Sequence, residues 1–172
     1  MLFRSMSTGQ ISVRKNHEAI IRALPMVNNP KVKYLIVGFG EEEERLKKLC
    51  KGLGISEQVI FTGYRGDVKK ILNAVDAYAF PSLQEGLPVS LMEAMAVGLP
   101  IVCSKIRGNV DLIEENQGGY LYEPFDYKGF SNGIKKLVEK TNSNMGKINI
   151  ETMNKFDIES VNKLMTEIYG DL

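Results

Sequence analysis

The chain has 172 residues, of which 44% are hydrophobic and 25% charged, with a net charge of +1. That is the composition of one globular domain with enough chain for a substantial core. It excludes a nucleic-acid footprint, because Lys and Arg are spread along the chain, and no apolar run approaches the ~20 residues of a membrane span.

Residues 1–5 read as a ragged start: Met1-Leu-Phe-Arg-Ser-Met6 is too short for a signal peptide and has no apolar core. A strand enters the loop that begins at Gly9, and a helix leaves it from His17 to Leu24. Lys33 to Val37 is a short apolar run ending at Gly38, a buried strand. Glu41 to Lys51 follows as a helix, with Leu46, Leu49, Cys50 and Leu53 at helical spacing. Acids fill its first turn and lysines its last, which complements the helix dipole, and Glu43–Lys47 and Glu44–Lys48 are spaced to pair.

Val59 to Thr62 reads as a strand, Val68 to Ala74 as a short helix, and Asp76 to Phe80 as a strand. A helix starting at Pro88 runs to Ala96, where Gly98-Leu-Pro100 stops it. Ile101 to Cys103 is a strand, Asn109 to Glu114 a short helix, and Gly119 to Tyr122 the last strand. Tyr127 to Lys140 carries Phe130, Ile134, Leu137 and Val138 at helical spacing. After the polar break Thr141 to Asn144, Asp157 is a good N-cap for a terminal helix over residues 157–169, with the stripe Ile158, Val161, Leu164, Met165 and Ile168. Alternating strands and helices imply one Rossmann-like α/β domain over residues 1–172, a doubly wound parallel sheet. Such sheets bind ligands outside the carboxyl ends of their strands.

Several patterns resolve without chemistry. Cys50 and Cys103 are far apart with no CxxC, and both read as small buried hydrophobes. Gly38-Phe-Gly40 lacks the third glycine of a dinucleotide fingerprint, and the four acids Glu41 to Glu44 would repel a pyrophosphate. His17, the single His, sits at a helix start and reads as capping or packing. No Ser/His/Asp or reactive-Cys set can be built.

The informative stretch is Phe80 to Pro100, with Glu85 and Glu93 on either side of a Gly-Leu-Pro turn. Pro88 suits the first turn of a helix, and the free amides near Val89 and Ser90 would form an anion site. The neighbours of Glu93 are apolar all round, which predicts a largely buried helix whose carboxylate needs a partner or ligand. No D-x-D motif occurs, so a diphosphate would be met by amides and a cation rather than by a metal ion. Lys15, ahead of Arg14, is the candidate cation on the same sheet edge. A turn offering amides to a phosphate, with carboxylates placed for sugar hydroxyls, suggests recognition of a nucleotide-sugar.

The segment E-G-L-P-V-S-L-M-E-A-M-A-V-G-L-P closely resembles the signature of family-4 glycosyltransferases, which have the two-domain GT-B fold. Gly9 with Lys15-Asn16-His17-Glu18, Val37 to Gly40, Phe61 to Tyr64 and Phe80-Pro-Ser82 extend the resemblance to residues 8–169, and Ser104 to Asn109 resembles a variant of capsule and exopolysaccharide transferases. The resemblance implies the carboxyl-terminal, donor-binding half of a retaining enzyme that needs no metal or other cofactor. By position, Lys15 would contact the diphosphate and Glu93 the ribose hydroxyls. Glu85, the catalytic candidate, would face the donor sugar. The backbone of Gly86, Leu87, Pro88, Val89 and Ser90 would hold diphosphate and sugar, and Gly63, Tyr64 and Arg65 would flank the base, with UDP the commonest nucleotide. Where many members carry a second cation, this chain has Gln10.

The resemblance further implies that an amino-terminal acceptor domain is missing and that this chain alone is inactive. The full enzyme would build surface polysaccharide in the cytoplasm, peripherally at the inner face of the membrane. A nucleotide-sugar binding module without catalysis is the alternative. A GT-B epimerase has no recognisable acid–base set here, and a flavodoxin-like regulatory domain leaves the paired glutamates unexplained.

Overall fold

The alternation of apolar runs and amphipathic stretches folds into six strands and six α-helices in a computed structural model that describes residues 2–139 and 144–156. In chain order these are β1 (Phe3–Thr8), α1 (His17–Val27), β2 (Val32–Val37), α2 (Glu43–Gly52), β3 (Val59–Gly63), α3 (Val68–Leu72), β4 (Ala77–Phe80), α4 (Val89–Ala96), β5 (Ile101–Ser104), β6 (Gly119–Tyr122), α5 (Tyr127–Glu139) and α6 (Met145–Met153). The strands form one sheet in the order β3-β2-β1-β4-β5-β6, every neighbouring pair parallel. This is the doubly wound Rossmann-like sheet expected from the sequence. The strand order reverses between β1 and β4, which opens a crevice at their carboxyl ends.

Burial follows this layering. Ile20, Ile21 and Leu24 of α1, Leu46 and Cys50 of α2, and Phe130, Ile134 and Leu137 of α5 share one core cluster with Tyr34 and Ile36. Leu72 of α3, Leu91 and Met95 of α4, and Met153 of α6 share the other with Met6, Tyr78 and Phe80. Burying a side chain such as Leu91 or Phe130 contributes about 1.5–3 kcal/mol.

Residues 1–5 were expected to be a ragged start, but Phe3 to Thr8 form the central strand. Its polar residues Arg4, Ser5 and Ser7 obscure where the strand begins, because their partners lie on other segments of the chain. The buried Ser7 hydroxyl lies 2.6 Å from the Tyr34 hydroxyl and donates to the Ala79 carbonyl at 2.5 Å, and Ser5 donates to the Lys33 carbonyl. Arg4 pairs with Asp76 of the neighbouring chain segment.

Other elements shift by smaller amounts. Helix α1 continues past Leu24, with Pro25 inside its last turn, and ends where Asn28 turns left-handed at φ 54°. The expected helix from Asn109 to Glu114 is instead a series of turns. Gly108 turns left-handed at φ 88° there, and the backbone closes single turns, Val110 donating to Ile106 and both Leu112 and Ile113 to Asn109, without running on into a regular helix. Lys47 pairs with Glu43 as expected and also with Glu44, three residues away, in place of a Glu44–Lys48 pair. Helix α6 was not foreseen. The expected terminal helix over 157–169 lies outside the described residues. Among the described residues no helix is long and apolar enough to cross a membrane.

Candidate functional site

The loops after β1 and β4 meet at the switch point. The first makes a short 3-10 turn over Val13–Lys15 and then enters α1 through Asn16, which is left-handed at φ 50°. The buried Asn16 amide donates to the carbonyls of Pro81 and Pro124, and the Leu83 amide donates to the Arg14 carbonyl at 2.8 Å. These bonds lock the two loops together and aim their side chains at each other. Lys15 Nζ lies 2.9 Å from Glu85 Oε1, and Arg14 Nη1 lies 3.2 Å from Glu85 Oε2. The side chain of Glu85 is 7% exposed and that of Lys15 12%, whereas that of Arg14 is half exposed. Lys15 also sits over the Phe80 ring.

Burial pushes the Glu85 carboxyl up, but the Lys15 ammonium, the Ser82 hydroxyl and Arg14 outweigh it and hold the group below the usual carboxylate range. Glu85 is therefore ionised at neutral pH. The structure thus brings Lys15 and Glu85 together as one charged unit.

Beside this unit a cleft of about 460 Å³ opens at the carboxyl ends of β1, β2 and β3, lined among others by Gly9, Gly38, Phe39, Tyr64 and Arg65. Its floor depends on glycine. A Cβ on Gly38, whose φ is 148°, would overlap the Gly9 carbonyl oxygen, and a Cβ on Gly40 would overlap that of Ile11. These glycines pack two loops in contact, and Gly38 also lines the cleft. The Gly63 carbonyl accepts from the Gly38 amide at 3.0 Å, which places the exposed ring of Tyr64 at the mouth. Arg65 is paired with Asp67 by two hydrogen bonds of 2.8 Å. Gln10 reaches Glu41.

The turn from Gly86 to Ser90 differs from expectation. Pro88 is the residue before α4 rather than its first, and its carbonyl accepts from Leu91 and Met92. The Val89 amide turns back on the Leu87 carbonyl at 2.9 Å and is not free. Among the described residues the amides of Gly86, Leu87 and Ser90 have no acceptor. Gly86 and Leu87 are exposed, and Pro88 is buried.

Glu93 also departs from expectation. It is exposed, because α4 turns one strip containing Val89, Glu93 and Ala96 outward while Leu91, Ala94 and Met95 face the core. Ala96 on that strip, beside the apolar Leu91, Met92, Ala94 and Met95, makes the helix read as apolar all round. Glu93 lines a shallow groove of about 230 Å³ between α3 and α4, which shares Val68 with the larger cleft.

Tyr78 is a site residue that the pattern of β4 concealed, since its ring reads as core. Its hydroxyl lies 2.8 Å from the Thr8 hydroxyl and accepts from the Thr8 amide at 3.3 Å, anchoring the end of β1, with Ser90 of the first turn of α4 nearby. Ser82 is another: it is fully buried, its hydroxyl has no hydrogen-bond partner among the described residues, and it is near enough to Glu85 to help hold that carboxyl down; a serine two residues past a strand carries no distinguishing signal.

His17 is buried, with Nδ1 2.9 Å from the Tyr34 hydroxyl. Burial lowers its pKa to about 4, with the Gln10 backbone opposing and Lys15 adding to the shift, so it packs as a neutral ring. Cys50 and Cys103 are buried thiols; burial pushes the Cys50 pKa up to about 11 and raises that of Cys103 as well. Among the described residues no group of His, Cys, Asp and Glu is arranged to hold a metal ion.

Residues 4–152 match the family of glycosyl transferases group 1. The chain belongs to the group 1 glycosyl transferases. It is 32% identical over 133 residues to a lipopolysaccharide core biosynthesis glycosyltransferase of Rhizobium meliloti, covering 77% of this chain and 38% of that protein. An uncharacterized glycosyltransferase of Haemophilus influenzae is 36% identical over 136 residues, covering 78% of this chain and 35% of that protein. The structure of Anabaena HepE in complex with UDP and glucose superposes with a TM-score of 0.89 at 25% identity, covering 99% of this chain and 48% of that one. The chain thus spans less than half the length of these glycosyl transferases. Its fold is the Rossmann-like α/β fold of the GT-B glycosyltransferases, matched over part of each neighbour's length.

Proposed function

We propose that this domain is the carboxyl-terminal half of a retaining, family-4 glycosyltransferase and binds its nucleotide-sugar donor. The observation that carries this is the Lys15–Glu85 pair, held in a largely buried setting at the switch point beside a 460 Å³ cleft. The diphosphate lies against Lys15, Arg14 and the unbonded amides of Gly86, Leu87 and Ser90. The base lies in the cleft against Tyr64 and Arg65, beside Gly63. Glu93 accepts the ribose hydroxyls from the adjoining groove, and Glu85 faces the sugar. UDP is the favoured nucleotide, since Anabaena HepE binds it.

A second Rossmann-like domain supplies the acceptor pocket, because one wall alone can neither position an acceptor nor exclude water. Relatives in lipopolysaccharide core and amylovoran biosynthesis favour a surface-polysaccharide acceptor. That product suits peripheral attachment at the inner face of the membrane.

The test is calorimetric titration of UDP, GDP and UDP-glucose, each with and without EDTA. Binding of UDP and UDP-glucose, unaffected by chelation, is the expected result. Absence of binding would remove the donor-site reading, and loss on chelation would remove the metal-free diphosphate site.

A further inference from the structure

Two cations and one carboxylate meet at the switch point, and the carboxylate touches both cations. A phosphate oxygen hydrogen-bonded to Lys15 at about 3 Å must lie within about 6 Å of the Glu85 carboxylate, because Lys15 Nζ is itself 2.9 Å from it. Glu85 is ionised and nearly buried, so its charge acts on such a phosphate with little solvent between them. At 6 Å one unit charge alters the binding of another by between about threefold and about a hundredfold, depending on how much water screens them.

The two diphosphates such a site meets differ in charge. A nucleotide-sugar is a diester at its outer phosphate and carries about two negative charges. The released nucleoside diphosphate has a terminal phosphate whose last proton leaves near pH 6, so at pH 7 it carries about one more. A purely cationic pocket would hold the product more tightly than the donor.

Resting on the donor-site reading above, we propose that Glu85 is a charge-selecting residue. It offsets part of the Lys15 and Arg14 charge, so that the site favours the dianionic donor over the more highly charged nucleoside diphosphate. This differs from a contact to the sugar, because it acts on ligands that carry no sugar. Its consequence in turnover is faster product release and weaker product inhibition.

The experiment compares UDP with its terminal methyl ester, which differ by one charge and contain no donor sugar. Both are titrated into the wild-type chain, Glu85→Gln and Arg14→Gln at pH 7.5. Glu85→Gln is expected to tighten UDP, and to shift the affinity ratio roughly tenfold toward UDP over the methyl ester. Arg14→Gln, at a half-exposed position, is expected to shift the ratio the opposite way by a smaller factor and keeps the test available if Glu85→Gln does not fold. Weaker UDP binding by folded Glu85→Gln, or a ratio unmoved in either binding-competent variant, would overturn the proposal while leaving the donor site standing. Failure of the wild-type chain to bind either ligand would remove both.

Discussion

Lys15 Nζ and Glu85 Oε1 are 2.9 Å apart, although 70 residues separate them in sequence. The neighbouring strands β1 and β4 bring them together, because their carboxyl ends open side by side where the strand order reverses. Glu85 thus has a structural role in addition to the ligand-facing one proposed above. Glu93, eight positions later on the exposed strip of α4, has no comparable partner among the described residues.

The two glutamates should therefore separate when each is replaced by alanine. Glu85→Ala leaves Lys15 without its partner in a largely buried setting and should cost roughly 1–3 kcal/mol of stability. Glu93→Ala should leave stability within about 0.5 kcal/mol of the wild type. In binding the roles reverse. Glu93→Ala should weaken UDP and UDP-glucose alike, by roughly 1.5–3 kcal/mol for a hydrogen bond to a charged group, whereas Glu85→Ala should weaken UDP-glucose without weakening UDP. Urea denaturation and calorimetry check the two halves. Equal loss of UDP and UDP-glucose binding in Glu85→Ala would void the role assignment.

Gly38→Ala should damage both the fold and the cleft. The added Cβ would overlap the Gly9 carbonyl oxygen, and φ of 148° disfavours any side chain. Backbone cannot yield as a flexible side chain can, so the cost should exceed about 2 kcal/mol. Gly66→Ala, where a Cβ would meet nothing within 4 Å, is the control and should melt close to the wild type. Thermal denaturation monitored by circular dichroism measures both.

His17 should make stability depend on pH. Its folded pKa is about 4 against an ordinary value of 6.5, so between those values the unfolded chain binds more protons. Stability is then full above pH 6.5, falls as the pH drops toward about 4, and loses roughly 3 kcal/mol in all from this group. It is the chain's single His, and the shifted carboxyls Glu18, Asp67 and Glu85 titrate below their ordinary range, so the interval from pH 6.5 to about 5 belongs to His17. Denaturant midpoints across that interval should slope in the wild type and flatten in His17→Gln.

The sheet and its helices were legible because apolar periodicity and Gly or Pro punctuation are local signals. Val32–Val37 and Tyr127–Glu139 follow from them almost to the residue. The strand entering the Gly9 loop was legible, but its start at Phe3 was not, because Ser5 and Ser7 are made acceptable in the core by partners on other strands. Helix α6 escaped for a similar reason. Its buried Asn149 reads as surface, yet its amide donates to the Leu99 and Gly118 carbonyls at 2.7 and 2.8 Å. At the site, spacing placed Glu85, Lys15 and the Gly86 to Ser90 turn on one sheet edge, which is where the structure has them. It could not reveal that Lys15 and Glu85 pair with each other, that Val89's amide is occupied, or that Glu93 faces outward. Each depends on how distant segments or the two sides of one helix pack.

Tyr78→Phe tests whether the end of β1 and the start of α4 are coupled through one hydroxyl. The substitution preserves the ring, which stacks on Phe80 at 6.1 Å between centroids, so core packing is retained. It removes the group that lies 2.8 Å from the Thr8 hydroxyl and within reach of Ser90. Thr8 lines the 460 Å³ cleft, and Ser90 carries one of the unbonded amides, so the hydroxyl sits between the two walls of the candidate site. Thr8 is only partly buried and can recruit water, so stability should fall by no more than about 1–1.5 kcal/mol. Affinity for UDP should fall severalfold, because the amides of the α4 turn are then less well aimed, and amide exchange over Leu87 to Leu91 should accelerate while exchange in β5 stays unchanged. Faster exchange spread evenly over the sheet would mean that Tyr78 only stabilises the core, and unchanged UDP affinity with faster α4 exchange would show that the turn does not hold the diphosphate.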